Sequence, residues 1–148
     1  VFCDMFGGGP YSKLFSVVRE KMSLCYYCAA RAVRAKGILL VDSGVEFANM
    51  DKTYSAVLEQ LEAMQRGDFD DSALEASKLA LTGSLKGVYD SLAVLDRWYA
   101  DRIFDPAPLS PADMEKLIAS VTRDDIIEAA RGVRLDTVYR LLGKEEQK

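Results

Sequence analysis

A chain of 148 residues, 49% hydrophobic and 28% charged, is long enough for one domain with a sizeable core and too short to expect two. Its net charge of -4 and pI near 4.9, with no basic tract, leave no footprint for nucleic acid. Its longest aliphatic run, Ile38-Leu39-Leu40-Val41, falls far short of the ~20 residues that a membrane helix needs.

The chain opens on an apolar segment, Val1 to Phe6, with no start signal before it, and reads as a single-domain fragment over 1–148, truncated at its N-terminus. Phe6-Gly7-Gly8-Gly9-Pro10-Tyr11-Ser12-Lys13-Leu14-Phe15 reads as a glycine hinge entering a helix, with Pro10 in the first helical turn. Tyr11, Leu14, Phe15, Val18 and Met22 recur at helical spacing and predict one apolar stripe facing a core. Arg19 lies beside that stripe near the helix end. Tyr26 follows in a run of strand-like composition, so one turn brings the two near each other. An Arg fork and a phenol hydroxyl converging there would present fixed donors to a peptide carbonyl or its oxyanion. Spacing alone favours the plainer reading, an Arg that suits the helix dipole and a half-buried strand Tyr.

The glycines Gly7, Gly8 and Gly9 either let two helices meet at a sharp angle or let a ligand backbone approach. They do not make a phosphate loop, because Lys13 follows Ser12 and precedes Leu14. A dinucleotide fingerprint would need glycine where Ser12 stands. Cys3, Cys25 and Cys28 are odd in number and fit reduced thiols in a cytoplasmic setting. Cys25-Tyr26-Tyr27-Cys28 matches C-x-x-C, but residues three apart on a strand point to opposite faces, so the pair reads as buried apolar residues. Three cysteines with no histidine are too few for a zinc site, and no histidine can activate a Ser or Cys.

Leu24 to Val33 and Gly37 to Val45 read as an antiparallel hairpin whose second strand has the continuous apolar run of a buried element. Asn49 opens a helix carrying Tyr54, Val57, Leu58, Leu61 and Met64, closed by Gly67. Ser72 and Glu75 predict a capping box, with Leu74, Leu81, Leu85 and Val88 along one side of the next helix. Gly83 and Gly87 interrupt it and predict close packing or a bend. Another helical stretch, Ser91 to Phe104, stops before Pro106-Ala107-Pro108. Ser110-Pro111 and Thr122 begin two short helices, and the acids Asp70-Asp71 and Asp124-Asp125 mark helix starts. Thr137 to Leu142 reads as a last strand and 144–148 as a frayed tail. The fold class is α+β, an antiparallel-rich sheet with helices packed on one face and a fourth strand expected upstream.

Phe6-Gly7-Gly8-Gly9, Ser12-Lys13-Leu14-Phe15, Arg19-Glu20-Lys21, Leu24 and Tyr26 resemble the C-terminal half of the M16 metallopeptidases, the group of pitrilysin, insulin-degrading enzyme and the mitochondrial processing peptidase. The resemblance implies a LuxS/MPP-like metallohydrolase half that closes with a similar half on an unfolded peptide. It implies a His-x-x-Glu-His zinc site in the N-terminal half or in a partner subunit, with no cofactor on this fragment and no catalytic residue of its own. It also implies that Arg19 and Tyr26 contact substrate near the scissile bond, with Gly7, Gly8 and Gly9 on the substrate-binding surface. Ser23 stands where many members have glycine. The Leu24 to Cys28 run and the Leu135 to Glu145 ending are similar to bacterial, Firmicute-type paired members in which one subunit lacks the zinc motif. The expected partner is then the N-terminal half or a paired M16 subunit, which enzyme or scaffold alike would require, with no nucleic acid or membrane involved.

Overall fold

The computed structural model describes residues 1–105 and 107–143. Pro106 of the expected Pro-Ala-Pro break and the expected tail 144–148 lie outside them. The fold is α+β. Helix α1 (Phe2–Gly7) leads through a turn into a π-helix, Leu14–Lys21, and then into strands β1 (Tyr27–Val33) and β2 (Ile38–Gly44). Helices α2 (Met50–Arg66), α3 (Asp71–Lys86), α4 (Leu92–Ala100), α5 (Pro111–Ser120) and α6 (Arg123–Arg131) follow.

The strands form an antiparallel pair running from Tyr27 opposite Gly44 to Val33 opposite Ile38. A 3-10 turn over Arg34–Lys36 joins them, ended by Gly37 at φ 62, a left-handed backbone that glycine adopts without strain. Cys28 and Ala30 point into the core, where α1 and the π-helix pack on β1. Phe6, Leu14, Val18, Met64 and Ile126 are its largest fully buried members. β2 is not the buried strand its apolar run predicts. Ile38 and Leu40 stand 49% and 38% exposed, because only Leu39 and Val41 share the inner face.

The glycine hinge is real, and Gly7 explains it. A Cβ there would sit 2.4 Å from the Ala30 backbone nitrogen, so only glycine lets α1 lie this close to β1. Asp4 secures the other side of α1: its carboxylate accepts from the Tyr11 hydroxyl at 2.7 Å and from the buried Ser77 hydroxyl of α3 at 2.5 Å. Pro10 sits in the turn before the helix rather than in its first turn. The π winding, with the Met22 N–H reaching the Val17 carbonyl at 2.9 Å, widens each turn. Leu14 and Val18 therefore stay buried while Met22 leaves the expected stripe and is 42% exposed.

Local signals set some helix ends and not others. Ser110 caps α5, and Thr122 with Asp125 makes a reciprocal capping box on α6. Gly67, at φ 79, closes α2. The predicted Ser72–Glu75 box does not form: α3 starts earlier, at Asp71, and Glu75 instead meets Lys78 at 3.1 Å. Asp71 binds Arg123 at 2.6 Å, which ties α3 to α6. On α2 the buried face centres on Thr53, Ala56, Ala63 and Met64 rather than on Tyr54 and Leu58. Gly83 faces open space, and Gly87 starts a 3-10 turn that ends α3. Helix α4 stops at Ala100, short of Phe104.

The expected last strand, Thr137 to Leu142, is not paired with β1 or β2. Among the described residues the sheet has two strands. The segment instead leans on α2, where Arg140 meets Asp51 at 2.8 Å.

Gly7 and Gly83 make opposite predictions for the same substitution. Gly7→Ala will destabilise the protein by about 3 kcal/mol, because backbone and not a flexible side chain blocks the added methyl. Gly83→Ala, exposed within a helix, will stabilise it by about 1 kcal/mol. Denaturant unfolding of both variants checks the pair.

Candidate functional site

Arg19 and Tyr26 come together where the π-helix ends and β1 begins. The Arg19 Nε donates to the Tyr26 carbonyl at 2.9 Å, its Nη1 lies 3.3 Å from a Glu20 carboxylate oxygen, and its Cζ sits 4.5 Å above the centre of the Phe15 ring. Two of its three nitrogens are thus engaged and its plane is fixed against an aromatic face. The Tyr26 N–H donates to the Gly44 carbonyl at 2.8 Å, extending the hairpin by one bond.

The phenol of Tyr26 is 67% exposed, and its hydroxyl donates to a Glu46 carboxylate oxygen at 2.8 Å. That bond, with the negative charge of Glu46 beside it, pushes the phenol above its ordinary pKa and keeps it a donor. Arg19, Glu20, Ser23, Leu24, Cys25, Tyr26, Glu46 and Asn49 line one open cleft of about 380 Å³.

Backbone strain marks the same place. Ser23 has φ 51, the left-handed region that disfavours any side chain. This is the position where the resemblance expects glycine. The turn lets the chain leave the π-helix and enter β1 with Leu24 and Cys25 packed against the core.

The arrangement offers hydrogen-bond donors, held in place by the chain's own carboxylates, and no nucleophile–base pair. Gly7, Gly8 and Gly9 lie outside the cleft lining, with Gly7 against β1 and Gly8 against Asp4. Glu46 was missed from sequence because it stands twenty residues from Tyr26. Only the hairpin register, which places Tyr27 opposite Gly44, could have found it. No group of three His, Cys, Asp or Glu residues that could hold a metal occurs among the described residues, and the chain has no histidine, so a zinc ion does not fit here. Cys25 precedes β1 and the chain bends at Tyr26, whereas Cys28 lies in the strand and faces the core.

A family described as the Peptidase M16 inactive domain matches residues 1–81. The chain is 37% identical over 145 residues to "Probable inactive metalloprotease YmfF" of Bacillus subtilis, covering 98% of this chain and 34% of that protein. It is 29% identical over 130 residues to "Uncharacterized zinc protease SCO5738" of Streptomyces coelicolor, covering 86% of this chain and 28% of that protein. It therefore spans about a third of the length of these relatives. A solved conserved protein from Enterococcus faecalis V583 superposes with a TM-score of 0.81 at 27% identity, over 88% of this chain and 31% of that one. A protease from Helicobacter pylori superposes with a TM-score of 0.75 over 87% of this chain and 32% of that one; at 15% identity it shares the fold.

Two measurements test the cleft. Ser23→Gly will raise stability by about 1 kcal/mol, read by denaturant unfolding, since only glycine takes this backbone without cost. Glu46→Gln will lower the titration of Tyr26 toward the ordinary tyrosine range, read as phenolate absorbance with Tyr26→Phe identifying the signal. Because the folded phenol titrates above the unfolded one, its contribution to stability is present below the ordinary tyrosine range and is lost as pH rises through its folded pKa.

Proposed function

The chain belongs to the M16 peptidase family as a C-terminal, inactive-type domain, and from that membership we propose that it helps to enclose an unfolded peptide and contacts it near the scissile bond. The observation that carries this reading is the convergence of Arg19 and Tyr26 on one open cleft. A cationic fork and a neutral phenol suit a peptide carbonyl, whose oxygen gains negative charge when a nucleophile attacks. The water that attacks would be activated by a zinc ion held elsewhere, on an N-terminal half or a paired subunit. This chain's part is to bind and orient. The Tyr26 hydroxyl exchanges the Glu46 carboxylate for the substrate oxygen, while Arg19 stays fixed by the Tyr26 carbonyl and Glu20.

A second reading has its own support. The relative at 37% identity is named a probable inactive metalloprotease, which favours a non-catalytic subunit that pairs with a zinc-bearing M16 partner. Both readings give this domain the same peptide-facing cleft and differ in where the zinc resides.

In the full-length protein, with any zinc-bearing partner it requires, Arg19→Ala will lower cleavage of an unstructured peptide by about 100-fold, with an unchanged unfolding midpoint. Tyr26→Phe will lower it in the same direction. Near wild-type cleavage by both variants would reject the contact. Stoichiometric zinc in the protein purified without a partner would decide against the paired-subunit reading.

A further inference from the structure

The glycine triplet lies outside the cleft, yet contact accounts for each of its members. Gly7 meets β1. A Cβ on Gly8 would run into the Asp4 carboxylate and stand 2.7 Å from the Asp4 Cα, and one on Gly9 would stand 3.0 Å from the Tyr11 ring. The second and third glycines therefore make room for one pair of side chains, Asp4 and Tyr11.

That pair belongs to a three-way contact. A single carboxylate oxygen, Oδ2 of Asp4, accepts from the Tyr11 hydroxyl at 2.7 Å and from the Ser77 hydroxyl at 2.5 Å. Ser77 is 0% exposed, so without the carboxylate its hydroxyl would be buried and unpaired. Helix α1, helix α3 and the turn before the π-helix are thereby joined at one atom.

We infer that Asp4 is a positioning residue for the cleft: held between Tyr11 and Ser77, it fixes where the helix that carries Arg19 begins. The path from one to the other is short and continuous. Tyr11 is followed by the fully buried Ser12, whose carbonyl accepts from the Ser16 N–H at 2.9 Å and whose hydroxyl accepts from the Phe15 N–H at 3.4 Å. Phe15 carries the ring on which the Arg19 guanidinium rests, 4.5 Å from Cζ to the ring centre. A displaced Tyr11 moves Ser12, then Phe15, and so the aromatic face that aims Arg19 at the Tyr26 carbonyl. The consequence for peptide rests on the function proposed above; the placement of Arg19 does not.

The test follows two side-chain N–H groups in the isotope-labelled, full-length protein without any peptide. They are the Arg19 Nε–H, bonded to the Tyr26 carbonyl at 2.9 Å, and the Trp98 Nε1–H, bonded to the Leu109 carbonyl at 3.0 Å. Arg19→Lys and Trp98→Phe identify the two signals by magnetic resonance. In Asp4→Ala the Arg19 signal is expected to shift and its exchange with water to rise several-fold, while the Trp98 signal stays as in the wild type. Asp4→Asn keeps an oxygen for both hydroxyls and is expected to restore the wild-type Arg19 signal. Tyr11→Phe keeps the ring over Gly9 and loses one bond; it serves where Asp4→Ala does not fold, and its Arg19 signal is expected to move the same way. An Arg19 signal that stays in place in every folded variant, a Trp98 signal that moves with it, or an Asp4→Asn that behaves like Asp4→Ala overturns the role. A purely structural Asp4 would lower the unfolding midpoint and leave the Arg19 signal alone. No peptide is cleaved in these measurements, so failure here is separate from failure of the peptide-contact reading.

Discussion

How closely α1 can approach β1 decides where everything in the cleft stands. Gly7 has no side chain to hold it off Ala30, and the Asp4 carboxylate pulls Tyr11 and Ser77 onto the other side of the same short helix. Those contacts set the start of the π-helix, because Tyr11 belongs to the turn that feeds it and Ser12 is wholly buried beneath it. The Ser12 hydroxyl accepts from the Phe15 N–H at 3.4 Å, and its carbonyl accepts from the Ser16 hydroxyl at 2.8 Å. Charge and packing therefore act together. An alanine at Gly7 would move the helix that carries Arg19 without touching Arg19.

The π winding is the next constraint down the chain. In an α-helix, Leu14, Val18 and Met22 would share a buried face, as their spacing predicts. The wider turn keeps the first two and turns the third out, while Arg19 keeps its place over Phe15. Single-turn widening of this kind occurs often at functional sites, and here it runs for eight residues into the strained Ser23. The sequence carries the apolar spacing but no local signal for the period. Only the tertiary fit of Leu14 and Val18 under α1 selects it. The same reasoning explains the other differences. Capping by Ser110 and Thr122 depends on residues three apart and was legible; the burial of β2 and the pairing of Thr137 to Leu142 depend on what lies across a sheet edge and were not. Cys25 and Cys28 follow strand logic only if both sit in the strand, and the bend at Tyr26 removes Cys25 from it.

The electrostatics of the cleft favour exchange over permanent binding. The donors of the cleft are held by partners on this chain: Glu46 for the phenol, and Glu20 and the Tyr26 carbonyl for two of the three guanidinium nitrogens. The Tyr26–Glu46 contact is exposed, so its worth in water is small and a ligand could exchange it at little cost. What they supply is position. A phenol resting on Glu46 is directed to one place, and that bond pushes its pKa above the ordinary value.

The chemistry that this domain lacks clarifies what its donors are for. The chain has no histidine and no cluster of metal ligands among the described residues, and Arg19 and Tyr26 stand in the cleft as hydrogen-bond donors. Such donors are worth most where water is excluded, and an open cleft beside exposed glutamates is not that place by itself. On the function proposed, a second surface over these donors would exclude water from them. On that proposal the surface would come with the metal in a zinc-bearing parent, or from the partner of a paired subunit. On either reading the bend at Tyr26 is what holds the two donors side by side, through the bond from Arg19 to the Tyr26 carbonyl.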